Sequence, residues 1–107
     1  MKIIEINDSN FDEEVLMSPI PVLVDMSAVW CGPCKKQLPI LEACATDNAG
    51  KVKIVKVDID DSPTIASRFG IRSVPSLILF NLGKQVDMKV GLTSASSLDI
   101  FLEKVGI

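Results

Sequence analysis

Histidine and tyrosine are both missing from this 107-residue chain. Without histidine there is no imidazole general base, no Cys–His nucleophile pair and no His-ligated metal. Aromatic residues make up only 5% against a hydrophobic share of 48%, so a core must rest on aliphatic side chains. A basic excess is lacking too: the formal net charge is −3, which offers nothing to a nucleic-acid backbone. No apolar run approaches the roughly 18 residues of a membrane-spanning helix. Met1–Glu14 is too acidic for a secretion signal, and a cytoplasmic location is expected. Cysteine is scarce and odd in number, at three, too few for a disulfide framework. In a reducing compartment a close pair of cysteines points instead to redox chemistry or to metal.

What is present suffices for one domain over residues 1–107. At this size folding buries about two-thirds of the unfolded surface, so disulfide staples are not needed. The mean hydropathy is positive, which argues against disorder.

Along the chain, Lys2–Ile6 alternates weakly and reads as a strand. Ser9-Asn10-Phe11-Asp12 has the pattern of a capping box opening a helix with Phe11 and Val15 on one face. Pro19 and Pro21 end it. Val22–Met26, apolar except for Asp25, predicts a buried central strand. A second helix starts near Pro33, with Leu38, Leu41 and Ala45 at helical spacing, and Gly50 closes that segment. Pro39 inside it should produce a kink. Val52–Ile59 is β-branched and reads as a strand. Ser62-Pro63 predicts an N-cap followed by proline in the first turn, with Gly70 as the stop. Leu77–Phe80, a turn over 81–84 and Gln85–Val90 read as a hairpin, with Val86, Met88 and Val90 alternating with polar neighbours. Ser94 is placed to cap a last helix bearing Leu98, Phe101, Leu102 and Val105 on one face. The order β-α-β-α-β-α-β-β-α calls for a mixed sheet with helices on both faces.

The chemistry concentrates at Trp30-Cys31-Gly32-Pro33-Cys34-Lys35. Two thiols three positions apart at a helix start lie roughly 5–6 Å apart at Cβ, near the separation a disulfide needs. Unpaired N–H groups and the helix dipole favour an anion at Cys31 and lower its pKa. Pro33 suits the first turn, and Gly32 leaves room for another backbone to approach. Half of a zinc knuckle is the alternative, but no second half exists. Cys44 lies about 15 Å further along the same helix, too far to share an ion. A purely structural bridge would close too small a loop to stabilise much. Asp25 is an acid inside an apolar strand. Burial would raise its pKa and make it a possible proton acceptor for Cys34, whereas a strand-end Asp bonded to nearby backbone would do neither. Cys44 reads as a buried small hydrophobe, with a regulatory thiol as the other possibility.

The Trp-Cys-Gly-Pro-Cys-Lys run resembles the active-site stretch of the thioredoxin family, and the likeness covers nearly the whole chain. Val24-Asp25, Pro39-Ile40-Leu41, Phe69-Gly70-Ile71-Arg72, Val74-Pro75 and Val90-Gly91 all fall where thioredoxins carry similar residues. The resemblance implies a three-layer α/β/α thioredoxin-like fold around a mixed sheet of about five strands with about four helices. It implies a protein-disulfide reductase in which Cys31 attacks a target disulfide and Cys34 then resolves the mixed disulfide. Trp30, Gly32 and Pro33 would support the pair, and Asp25 and Lys56 would serve as its acid–base partners. A cis Val74-Pro75 bond facing Cys31 is likewise implied, with Trp30, Val74, Pro75 and Gly91 forming a docking surface.

No bound cofactor or metal is implied. An NADPH-dependent thioredoxin reductase, which holds the FAD, would regenerate the dithiol of a cytoplasmic monomer. The chain departs from the family at Met26-Ser27, where thioredoxins usually carry Phe-Trp, and at Val29, where an acid is common. Two alternatives therefore stand beside the general reductase: a redox protein dedicated to one target, and a binding subunit that uses the fold without turnover.

Overall fold

Strands apolar on both faces belong in the middle of a sheet, and the computed structural model, which describes residues 3–107, places them there. Five strands are ordered β1-β3-β2-β4-β5: β1 (Ile4–Ile6), β2 (Val22–Ser27), β3 (Lys53–Asp58), β4 (Ser76–Asn81) and β5 (Lys84–Val90). Lys2, the expected first residue of β1, lies outside the described residues. β1, β3 and β2 run parallel, while β4 is antiparallel to both β2 and β5. Three helices connect strands, α1 (Asp12–Leu16), α2 (Gly32–Asp47) and α3 (Pro63–Arg68), and a fourth, α4 (Ala95–Leu102), follows β5 and leads into a 3-10 turn over Glu103–Val105. The chain thus has the mixed sheet and four helices of the thioredoxin-like fold.

Side chains alternate across a strand, so the sheet divides its residues between two cores. Val22, Val24 and Met26 of β2 join Phe11, Val15 and Ile65 on the side of α1 and α3. Leu23 joins Leu41, Ala45, Leu98 and Phe101 on the side of α2 and α4. The same alternation turns Asp25 and Ser27 toward α2, the helix that begins with the cysteine motif. This parity positions the site.

Several local expectations are corrected. Ser9 does not cap α1. Phe11 stands at the N-cap without a side-chain bond, and α1 is a single π-type turn closed by Met17 N–H donating to Asp12 C=O. Asn7 and Asn10 take over the preceding backbone: Asn7 N–H donates to Asn10 Oδ1 at 2.8 Å and Ser9 N–H to Asn7 Oδ1 at 2.9 Å. Ser62 stands at the N-cap of α3 but makes no side-chain cap bond. Asp8 supplies that cap from the β1–α1 loop, its carboxylate accepting from Thr64 N–H at 3.3 Å and Ile65 N–H at 3.0 Å. Ser94 does cap α4, accepting from Ser97 N–H at 3.2 Å. Pro39 lies inside α2, as expected, and the helix carries on to Asp47.

The hairpin turns on two residues. Leu82 at φ 51° and Gly83 at φ 81° sit between the paired Asn81 and Lys84, the handedness that matches strand twist. A side chain at 83 would also meet the Leu16 carbonyl oxygen at 3.0 Å. Alternation along β5 does not mark a buried face there. Val86, Met88 and Val90 are exposed, because the α1/α3-side core ends at β4 and β5 is an edge. Asp87 points to the other side and pairs with Lys104 at 3.0 Å.

Candidate active site

Cys31 sits at the N-cap of α2 in an extended conformation, with Pro33 in the first turn. Its sulfur accepts the Cys34 N–H at 3.1 Å, one of the donors a helix start leaves unpaired. Cys31 and Cys34 are joined as a disulfide with their Cα atoms 5.3 Å apart. Both are buried, packed with Ala28 and flanked by Ile59 and Val74. Gly32 is exposed, with open space where a Cβ would stand.

The segment leading into β4 lies beside Cys31. The Val74-Pro75 bond is cis, and the Val74 carbonyl oxygen lies 3.7 Å from Cys31 Sγ. Sheet pairing of β4 begins at Ser76, so Val74 stands outside the ladder. Pro75 is itself buried, and its carbonyl accepts the Gly91 N–H at 2.8 Å. Gly91 adopts φ 93°, a left-handed geometry that suits glycine. Trp30 is 66% exposed, and its indole N–H donates to Asp60 Oδ2 at 2.8 Å.

Asp25 is 1% exposed, and its Oδ1 has no hydrogen-bond partner among the described residues. Burial pushes its pKa up to about 7, against a smaller opposing pull from the Lys56 ammonium. Lys56 is its register partner on β3. Asp25, Ser27, Cys34, Leu38 and Lys56 line one pocket of about 370 Å³. The carboxyl, Cys34 and the lysine therefore share one pocket. Ser27 lines the opening beside them, while Met26 is buried on the opposite face of β2 and Val29 is exposed.

Cys44 is set apart from this pair. It is buried in the α2/α4-side core, and burial raises its pKa, opposed by the Asn48 amide and reinforced by Asp99 and Asp47. Among the described residues no group of three or more His, Cys, Asp or Glu is placed to hold a metal ion. No helix of the described residues is long and apolar enough to cross a membrane.

Two residues that support the surroundings of the site, without belonging to it, are not indicated by the sequence reading. Asp60 anchors Trp30 from the loop after β3, and nothing local in the sequence indicates it. Gln37, fully buried on α2, bonds to Thr93. Position 37 shares a helical face with Leu41 and Cys44, which signals its burial but not its partner.

A family model described as thioredoxin matches residues 2–104. The chain is 47% identical over 100 residues to "Thioredoxin 1" of Nostoc sp., covering 94% of each chain. It is 48% identical over 99 residues to a thioredoxin of Rickettsia felis, covering 92% of this chain and 94% of the other. A thioredoxin of Porphyra purpurea is 41% identical over 104 residues, covering 97% of both.

Proposed function

The chain belongs to the thioredoxin family, and from that premise we infer how its residues divide the work. It is a dithiol–disulfide oxidoreductase that reduces protein disulfides. Cys31, as thiolate, attacks one sulfur of a substrate disulfide; the new bond forms as the substrate's other sulfur leaves as a thiolate. Cys34 then gives its proton to Asp25 and attacks Cys31 Sγ. The mixed disulfide breaks, the second substrate sulfur departs, and the Cys31–Cys34 disulfide remains. The observation that carries this reading is that disulfide at the helix start, with Asp25 in the pocket that reaches Cys34.

Lys56 holds positive charge beside Asp25 and limits the rise of its pKa. Trp30, Val74, Pro75 and Gly91 form the docking surface, where the unpaired Val74 segment offers backbone to an extended substrate strand. Gly32 and Pro33 shape the helix entry. Residues 1–107 act as one domain and as a monomer in the cytoplasm. A thioredoxin reductase regenerates the dithiol; we take it to be an NADPH-dependent flavoprotein, with no cofactor held by this chain.

One observation favours a second reading within the same chemistry. Ser27, which the family resemblance marks as a departure from tryptophan, lines the pocket beside Cys34, which suits a reductase dedicated to one target. A pure binding subunit has no need of the disulfide-forming pair. The test is reduction of a protein disulfide with NADPH and a thioredoxin reductase, with and without Cys31→Ser. Turnover lost in the variant supports the reductase. A function that survives removal of both thiols supports a binding subunit.

A further inference from the structure

Gln37 lies one turn beyond Cys34 on α2 and is 0% exposed. Its carboxamide is used in both directions on a single residue. Nε2 donates to Thr93 C=O at 3.0 Å, and Thr93 N–H donates to Oε1 at 2.8 Å. Thr93 is buried as well, and its hydroxyl donates to Gly91 C=O at 3.2 Å. Gly91 N–H in turn donates to Pro75 C=O at 2.8 Å. A hydrogen-bonded path thus runs from the redox helix through Thr93 and Gly91 to the Val74-Pro75 segment beside Cys31.

The position of this clamp matters. β5 ends at Val90 and α4 begins at Ala95, so Thr93 lies in a connection that has left the sheet. Its backbone groups have no ladder partner, and buried groups of that kind must find one. The Gln37 amide imitates a strand and pairs with both. An apolar side chain of similar size would fill the space but strand a buried donor and acceptor, which the loop could satisfy only by moving toward water.

We propose that Gln37 is a positioning residue for substrate docking, its carboxamide holding the Gly91–Thr93 segment in register with the helix that carries Cys31 and Cys34. This rests on the docking surface described above and names what sets its geometry. Among the described residues Gln37 makes no hydrogen bond to either sulfur, so exchange with a small disulfide, which needs no docking, does not depend on it. Exchange with a protein disulfide does.

The experiment compares steady-state reduction of a protein disulfide with the second-order rate toward a small aromatic disulfide, in wild type, Gln37→Leu and Gln37→Glu. For Gln37→Leu, KM toward the protein should rise roughly tenfold, while kcat and the small-disulfide rate stay within about twofold. Amide exchange at Thr93 should quicken while Leu98 in α4 keeps its protection. In Gln37→Glu a protonated carboxyl can donate and accept as the amide does, whereas the ionised form repels the Thr93 carbonyl. Its KM, relative to wild type at the same pH, should therefore return toward unity as pH falls. That variant carries the test if Gln37→Leu does not fold. A KM unchanged in both variants, or equal losses on both substrates, overturns the proposal. A wild type that cannot reduce the protein disulfide overturns the functional reading itself, and the proposal with it.

Discussion

In the proposed mechanism Asp25 serves chemistry at the expense of stability. Its carboxyl is buried, its Oδ1 is unpartnered, and its pKa stands near 7 where an exposed aspartate has 3.8. Well below pH 3.8 the folded and unfolded chains are both protonated here, and no penalty arises. As pH rises toward 7 the unfolded chain ionises first, so folding loses stability progressively across that window. Asp25→Asn should abolish this slope in the oxidised protein and gain on the order of a few kcal/mol at pH 8. Denaturant midpoints at a series of pH values would show it, and parallel curves for the two proteins would refute it. The same variant should slow thiol exchange by about tenfold or more. A second expectation concerns the thiols. In the reduced protein at mildly acidic pH, an alkylating agent should label Cys31 first and Cys44 last, because Cys31 caps a helix while burial raises the Cys44 pKa. Peptide mapping decides the order, and early Cys44 labelling would reverse both assignments.

Among the elements, α3 shows where sequence reading stops. Ser94 caps α4 from the adjacent residue and Cys31 caps α2 likewise, so both starts were legible in local spacing. The α3 start was legible too, through Ser62-Pro63, but its cap was not. Asp8 provides it from another part of the chain, and only the packing of the β1–α1 loop brings the two together. Asp8→Ala should accordingly cost about 1 kcal/mol, and Ser62→Ala less. Chemical denaturation of the two variants measures this; a larger loss for Ser62→Ala would restore the serine as the cap. β5 teaches a related lesson. Its alternation identified a strand, but edge position decided that Val86 and Met88 would face solvent. Asp25 was legible because an acid within an apolar run is conspicuous. The Gln37–Thr93 clamp was not, since its two ends meet only after the sheet and α2 have packed.

For the whole molecule, the order of elements followed from the two periodicities and from the proline and glycine punctuation, and the sheet order then brought Cys31 and Val74 together. That convergence makes Trp30 a reporter. It is the only tryptophan, tyrosine is absent, and its indole is tied to Asp60 beside Cys31. Reduction should raise indole emission without loss of far-ultraviolet ellipticity, and Cys31→Ser/Cys34→Ser should show no such response. Equal responses in both proteins would mean that the indole does not sense this bond. The central claim is that Cys31 attacks and Cys34 resolves, and trapping tests it most directly. Reduced Cys34→Ser is mixed with a protein disulfide, and the products are mapped by mass spectrometry. A stable mixed disulfide on Cys31, dissolved by added dithiol, is the predicted result. Substrate attached through Cys44, or no covalent complex where wild type turns over, would contradict it.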